Sequence, residues 1–208
     1  MKRKRAENIL FPSGGRQLDG MLTRGNLPRG VVISHPHPLY GGDMHNTVVD
    51  LISRAFEEKG WTTLRFNFRG VGRSGGKFDQ GLGEQADVRA AVAYLKELLK
   101  GPVVLAGYSF GAGVNARAAL DHPDILYSIL VSPPVSMMEF SFLKTDSKTS
   151  LIIAGDRDPF CPVAELRKTV REMKALPTIK IIEGADHFYS SGASELIDVI
   201  QKRVIEEE

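Results

Sequence analysis

Residues 103–111 read Val103-Val104-Leu105-Ala106-Gly107-Tyr108-Ser109-Phe110-Gly111. The first four are continuously apolar, the pattern of a strand buried on both faces. Ala112 to Leu120 then predicts a helix. Between strand and helix stands Gly-x-Ser-x-Gly, in the strand–turn–helix setting that the motif requires. The reason for the glycines is steric. A sharp turn holds the central serine in a strained conformation, and side chains two residues to either side would collide. Such a turn presents the Ser109 oxygen at the tip of a sheet and at a helix N-terminus, where the helix dipole favours developing negative charge.

Working outward, the same alternation recurs. Short apolar runs at Val31 to Ser34, Thr62 to Phe66, Val103 to Ala106, Tyr127 to Val131, Leu151 to Ala154 and Ile179 to Ile182 predict buried strands. Between them lie helical periods. One carries Met44, Val48, Leu51, Ile52, Ala55 and Phe56 and closes at Gly60. The next carries Val88, Ala91, Val92, Leu95, Leu98 and Leu99 before Gly101-Pro102. Two more cover Val163 to Leu176 and Ser194 to Ile205. Ahead of all these, Asn8 to Phe11 and Gln17 to Arg24 flank Pro12-Ser13-Gly14-Gly15, a hairpin pattern. A hairpin followed by β-α repeats predicts an α/β fold. It is a three-layer α/β/α sandwich with a mostly parallel sheet and an N-terminal antiparallel hairpin. The 208 residues suit one domain, 1–208, with no internal repeat and no dividing linker.

Ligands on open parallel sheets bind beyond the carboxyl ends of the strands, so the residues that follow each run carry the chemistry. A serine nucleophile needs a base, and the base needs an orienting acid. After Leu151 to Ala154 comes Gly155-Asp156-Arg157-Asp158-Pro159. After Ile179 to Ile182 comes Glu183-Gly184-Ala185-Asp186-His187-Phe188. Serine, acid and histidine thus follow three strands in the order Ser109, Asp156 or Asp158, His187.

These motifs make the chain resemble the α/β-hydrolase superfamily over nearly its whole length. Asn67-Phe68-Arg69-Gly70-Val71-Gly72-Arg73-Ser74 is similar to that superfamily's Asp-x-Arg-Gly-x-Gly-x-Ser loop, with Asn in place of Asp. His35-Pro36-His37-Pro38-Leu39-Tyr40-Gly41-Gly42 stands where the superfamily has His-Gly-x-Gly. It resembles a compact group of bacterial hydrolases related to dienelactone hydrolases. Dienelactone hydrolases use cysteine at the elbow, whereas Ser109 here points to ordinary ester-type chemistry. The resemblance implies Ser109 as nucleophile and His187 as general base. Through the pattern Gly-x-x-Asp it implies Asp158 as the orienting acid, with Asp156 the rival; Asp186 reads as a loop or capping residue. An oxyanion hole needs two backbone N–H groups. Phe110 is expected to supply one and the 35–42 loop the other. Pro36 and Pro38 have no N–H. Alignment on His35 gives His37, with Leu39 the fallback.

Other readings of the motifs are weaker. His35-x-His37 with His45, one turn into the following helix, lacks the partners that zinc requires, so no metal is expected. His35 is expected to pack and to shape its loop, and His122 to take a structural place at a helix end, where a cation suits the dipole. Gly70-x-Gly72-x-x-Gly75 spells the dinucleotide fingerprint, but Gly76 to Gly81 intervene where a helix should begin at once. That loop reads as a structural wall of the site. Cys161 reads as a small packed residue. Ser132 to Thr149 is too short to hold a lid domain; its Met137, Met138, Phe140 and Phe142 could wall an acyl pocket or simply pack on the sheet. Leu39, Tyr40, Tyr108, Met137 and Phe140 are the expected substrate-pocket residues.

Composition sets outer bounds. Hydrophobic residues are 42% and charged residues 25%, as in ordinary globular domains. No apolar run approaches the roughly 20 residues that span a bilayer. The net charge of +2 rests on Lys2-Arg3-Lys4-Arg5; without that run 23 cations face 25 acids. A nucleic-acid surface is therefore not indicated, and residues 1–6 read as a frayed basic tail. One cysteine, and no apolar region of a signal peptide, suggest a cytoplasmic setting. The expectation is a lidless serine hydrolase. It would form an acyl-enzyme with small-molecule esters or thioesters of small to medium acids, with no cofactor and no membrane partner. The alternative is a non-catalytic interaction protein on a hydrolase fold. Oligomeric state is left open.

Overall fold

In the computed structural model, which describes residues 5–174 and 176–205, strands and helices alternate after an opening hairpin. The strands are β1 (Glu7–Ser13), β2 (Arg16–Thr23), β3 (Gly30–Ser34), β4 (Thr62–Phe66), β5 (Val103–Tyr108), β6 (Ile125–Val131), β7 (Thr149–Gly155) and β8 (Thr178–Ile182). They form one sheet in the order β1-β2-β4-β3-β5-β6-β7-β8. β2 runs antiparallel to both β1 and β4, and every later pairing is parallel. Pro12 is tolerated because β1 is an edge strand. The helices are α1 (Thr47–Glu57), α2 (Gly83–Leu98), α3 (Phe110–Ala119), α4 (Val163–Arg171) and α5 (Ala193–Ile205). Most of the expected basic tail falls on residues 1–4, outside the described residues. Among the described residues no helix is long and apolar enough to cross a membrane.

Strand residues alternate between two cores, as a period of two requires. Val31, Ile33, Val104, Ala106, Ile129, Val131, Leu151 and Ile153 pack against α1 and α5. Val32, Leu64, Phe66, Val103 and Leu105 face α2 and α3 on the other side, and Leu130, Ile152 and Ala154 continue that side toward α4. These are the three layers that the sequence predicts. β8 differs from expectation: as the outer edge strand it is half-exposed, with only Ile182 fully buried. α1 begins at Thr47 and not near Met44, because the Asn46 side chain caps the helix by accepting the Val48 N–H at 2.9 Å. His45 therefore precedes the helix and is exposed. α4 stops at Arg171, short of the expected Leu176, where the Glu172 N–H bonds back to Thr169 in a tightened last turn.

The sheet reverses its winding between β3 and β5: β4 lies to one side of β3, and β5 with all later strands to the other. The crevice at that switch point is where such sheets bind ligands. The loop after β4 closes the hairpin side of this region. Asn67 accepts the Met44 N–H and donates to Asp19, while the Ser74 hydroxyl accepts the Asp19 N–H and donates to the Asn67 carbonyl. Arg69 makes a two-pronged ion pair with Asp87 of α2, both contacts at 2.8 Å, and the same carboxylate accepts the Ser13 hydroxyl. Arg69 and Asp87 are both buried.

Breaking such a pair from one side leaves a charge without compensation and costs about 3–5 kcal/mol. Asp87→Ala leaves Arg69 with a looser contact to Asp79, at 3.8 Å, and the more distant charge of Glu84. It is expected to lower the urea unfolding free energy by that amount. A loss below about 1 kcal/mol, the level of an exposed pair, would show that this contact does not anchor the loop.

Candidate active site

The turn between β5 and α3 is as tight as the motif predicts. Ser109 has φ 54° and ψ −121°, a left-handed conformation that costs about 1–3 kcal/mol in a non-glycine residue. A Cβ on Gly107 would lie 2.4 Å from the Gly111 carbonyl oxygen. One on Gly111 would lie 2.6 Å from the carbonyl oxygens of both Ser34 and His35 at the end of β3. Glycine at both places lets α3 start against the switch point. The Ser109 N–H, donating to Val131 of β6 at 2.9 Å, holds the turn in place.

The acid and base arrive on two neighbouring strand ends. His187 Nδ1 lies 2.8 Å from Asp158 Oδ2, and His187 Nε2 lies 3.0 Å from Ser109 Oγ. With its hydrogen on Nδ1, the imidazole donates to the carboxylate and leaves the Nε2 lone pair to accept the serine proton. All three side chains are buried. Asp158 also accepts the N–H groups of Phe160 and Cys161. Burial alone would raise the Asp158 carboxyl, but hydrogen bonding and charge attraction from His187, with the Ser132 hydroxyl and the Phe160 N–H, hold it below the usual carboxylate range. Asp156 lies apart from this chain: its exposed carboxylate accepts the Gly184 N–H and braces the turn after β8. Asp186 accepts the N–H groups of Phe188 and Ser190 and the Ser190 hydroxyl, the expected capping part.

The two loops are joined through backbone. Asp156 and Arg157 donate their N–H groups to Ile182 and Ala185. The Tyr108 hydroxyl, kept protonated because burial first and then the Asp158 and Asp186 charges raise its pKa, donates to the His187 carbonyl at 2.9 Å. Tyr189, buried beside His187, shares a hydrogen bond with Ser132 at 3.1 Å. Cys161 packs in the core, its thiol pushed up by burial and then by the Asp158 and Glu165 charges, which makes it no activated thiolate.

Backbone accounting narrows the second oxyanion donor. Leu39 donates to His37 Nδ1, Tyr40 and Gly42 to the His37 carbonyl, and Gly41 to Pro38. Pro36 and Pro38 have no N–H. Of residues 36–42 only the His37 N–H has no acceptor among the described residues, whereas the N–H of Leu39, the fallback, is taken up by His37 Nδ1 at 3.2 Å. Phe110, first residue of α3, has an N–H with no intrahelical partner.

The cleft above these groups has a volume of about 600 Å³. Of the expected pocket residues Tyr40, Tyr108 and Met137 line it, with His37, Phe78, Phe110, Met138, Phe160 and Phe188 beside them. Two expected pocket residues are corrected. Leu39 is 69% exposed and outside the cleft, because the 3-10 turn at Pro38–Tyr40 directs it outward. Phe140 is 6% exposed: its ring stacks on Phe142 at 5.7 Å and fills the core beside α3. Of the four apolar residues after β6, the two methionines therefore wall the cleft and the two phenylalanines pack away from it. Sequence reasoning missed Phe160 and Phe188, and the signal that could have found them is that they stand within two residues of Asp158 and His187. Phe78 carried no such signal, since only folding brings its ring within 4.9 Å of His37 and 5.7 Å of Phe110.

His35 shapes the 35–42 loop as expected. Its Nδ1 donates to the Pro36 carbonyl at 2.6 Å and its Nε2 accepts the Phe68 N–H at 3.0 Å, so neither nitrogen is free for a metal. Burial pushes its pKa down to about 4 against the opposing pull of the Pro36 carbonyl. His122 departs from its expected cationic part. Burial lowers its pKa, and its Nδ1 accepts the Asp124 N–H as a neutral group.

Residues 40–149 match the family model for the alpha/beta hydrolase fold. An uncharacterised protein of Rickettsia prowazekii is 35% identical, with 95% of this chain and 88% of that protein covered. An alpha-beta serine hydrolase homologue from Coxiella burnetii superposes with a TM-score of 0.89 at 34% identity, covering 95% of this chain and 97% of that one. A lidless a/b serine hydrolase from Xanthomonas campestris superposes with a TM-score of 0.90 at 30% identity, covering 97% and 94%.

The His35 linkage has a definite sign. An unfolded histidine binds its proton near about 6.5, whereas the folded one does so near 4. The unfolded chain thus holds more protons between these values, and stability falls as pH drops through that window. Urea unfolding as a function of pH checks this: His35→Asn should flatten that part of the profile, and an unchanged slope would assign it to other groups.

Proposed function

Because this chain belongs to the α/β-hydrolase family, in its lidless form, we propose that it is a serine hydrolase. It would cleave carboxylic esters or thioesters of small to medium acids through an acyl-enzyme on Ser109. The observation that carries this reading is the hydrogen-bonded chain from Asp158 through His187 to Ser109, at 2.8 and 3.0 Å. These lengths lie within the reach that proton transfer requires. In the first half-reaction His187 Nε2 takes the Ser109 proton as Oγ attacks the acyl carbon. The Phe110 and His37 N–H groups meet the oxyanion. Such preorganised donors are each worth about 3–4 kcal/mol of transition-state stabilisation. His187 then protonates the leaving alcohol or thiol. In the second half-reaction it activates water against the acyl-enzyme. Asp158 stabilises the imidazolium formed in both, and its lowered pKa keeps it ionised for that purpose.

A fluorophosphonate probe should label the folded protein at Ser109, and Ser109→Ala should remove both labelling and turnover of p-nitrophenyl esters. Activity should fall on acidification below neutral pH, because a protonated imidazole cannot act as the base. Asp158 remains charged as that fall begins. Turnover that survives Ser109→Ala, or a flat rate from about pH 5 to 8, would remove these assignments. Absence of turnover in the unaltered protein would leave a non-catalytic interaction protein.

A further inference from the structure

Three aromatic rings lie around the imidazole that must deliver a proton: Tyr108, whose hydroxyl is tied to the His187 carbonyl, with centroids 5.2 Å apart, and two phenylalanines. Phe160 stands edge-on to His187 with centroids 4.8 Å apart, and Phe188 does so at 5.6 Å. Both line the cleft. The rings are held by their backbones. The Phe160 N–H donates to Asp158, and its carbonyl accepts both the N–H and the hydroxyl of Ser136 in the segment after β6. Phe188 sits in a turn that Asp186 closes through the Phe188 and Ser190 N–H groups, with buried Tyr189 anchoring it from below. This braced turn holds the Phe188 ring 64% exposed, with no core that requires it there. No Lys, Arg, Asp or Glu lines the cleft among the described residues.

We infer that Phe160 and Phe188 form the subsite for the leaving group, and that this group is an uncharged, apolar alcohol. The inference rests on the proposed acyl-transfer reading and adds the alcohol side of the substrate. As the bond between Ser109 Oγ and the acyl carbon forms, the bond from that carbon to the alcohol oxygen must break. The proton that His187 took from Oγ passes from Nε2 to that oxygen. The leaving oxygen therefore comes within about 3 Å of Nε2, and the carbons it carries lie against whatever borders the imidazole. Those neighbours are the Phe160 and Phe188 rings together with the ring of Tyr108, and no Lys or Arg lines the cleft among the described residues, so the site suits alkyl or aryl alcohols. It offers nothing to pair with the phosphates of a nucleotide-bearing thiol. Phe188 is on this account a specificity-determining residue, and Asp186 a positioning residue for its turn.

The test varies the two halves of the ester independently. Methyl acetate, benzyl acetate and benzyl butyrate are compared for the unaltered protein, Phe188→Ala and the milder Phe188→Leu. Loss of one apolar contact surface in a pocket is worth about tenfold or more in discrimination. The kcat/KM ratio of benzyl to methyl acetate should thus fall about tenfold in Phe188→Ala and less in Phe188→Leu. The ratio of benzyl butyrate to benzyl acetate should stay as it is, because the acyl half lies elsewhere. A change on the acyl ratio, or no change on the alcohol ratio, would overturn the subsite while leaving Ser109 chemistry standing. An unaltered protein that cleaves none of the three esters, with Ser109 unlabelled by fluorophosphonate, would overturn the proposed function and this inference with it.

Discussion

The close approach of α3 to the end of β3 is the constraint on which the rest of the site depends. Gly111 meets the Ser34 and His35 carbonyls where no Cβ could stand, and Gly107 makes room for Gly111 in turn. This contact forces Ser109 into its left-handed conformation and aims its hydroxyl out of the sheet. It also sets Phe110, whose N–H has no intrahelical partner, at the start of the helix, with its ring 4.9 Å from that of His37 in the 35–42 loop. Strain here is offset by a helix that is buried on nearly every side.

The other half of the site is built with redundancy. The loops after β7 and β8 touch through backbone hydrogen bonds, through Asp156 on Gly184, and through the Tyr108 hydroxyl on the His187 carbonyl. Tyr108 belongs to the elbow itself, so one residue ties the nucleophile strand to the histidine loop. A triad-like geometry needs tolerances of a few tenths of an ångström. Several short hydrogen bonds between neighbouring strand ends supply them better than any one long side chain could. The cleft above is largely apolar, and among the described residues no Lys, Arg, Asp or Glu lines it and no separate domain covers it.

The sequence made the strands, the helices and their layers legible, because burial imposes periods of two and 3.6 that the order of apolar residues displays. It also showed Ser109 and His187, since strand ends on a parallel sheet point to one place. It was less clear about edges and ends. β8 reads as a buried strand because Ile179, Ile181 and Ile182 are apolar, yet its position at the rim exposes one side.

What the sequence determined by itself was therefore the architecture and the chemical types at its strand ends, both of which follow from local pattern. Only the tertiary structure showed which of Asp158 and Asp156 meets His187, because both stand in one loop and a single turn directs Asp158 inward and Asp156 out. Only it showed that Phe140 packs inward while Phe160 and Phe188 border the imidazole. Those choices depend on which way a loop side chain points, and in a loop no periodicity records direction; packing against distant residues sets it.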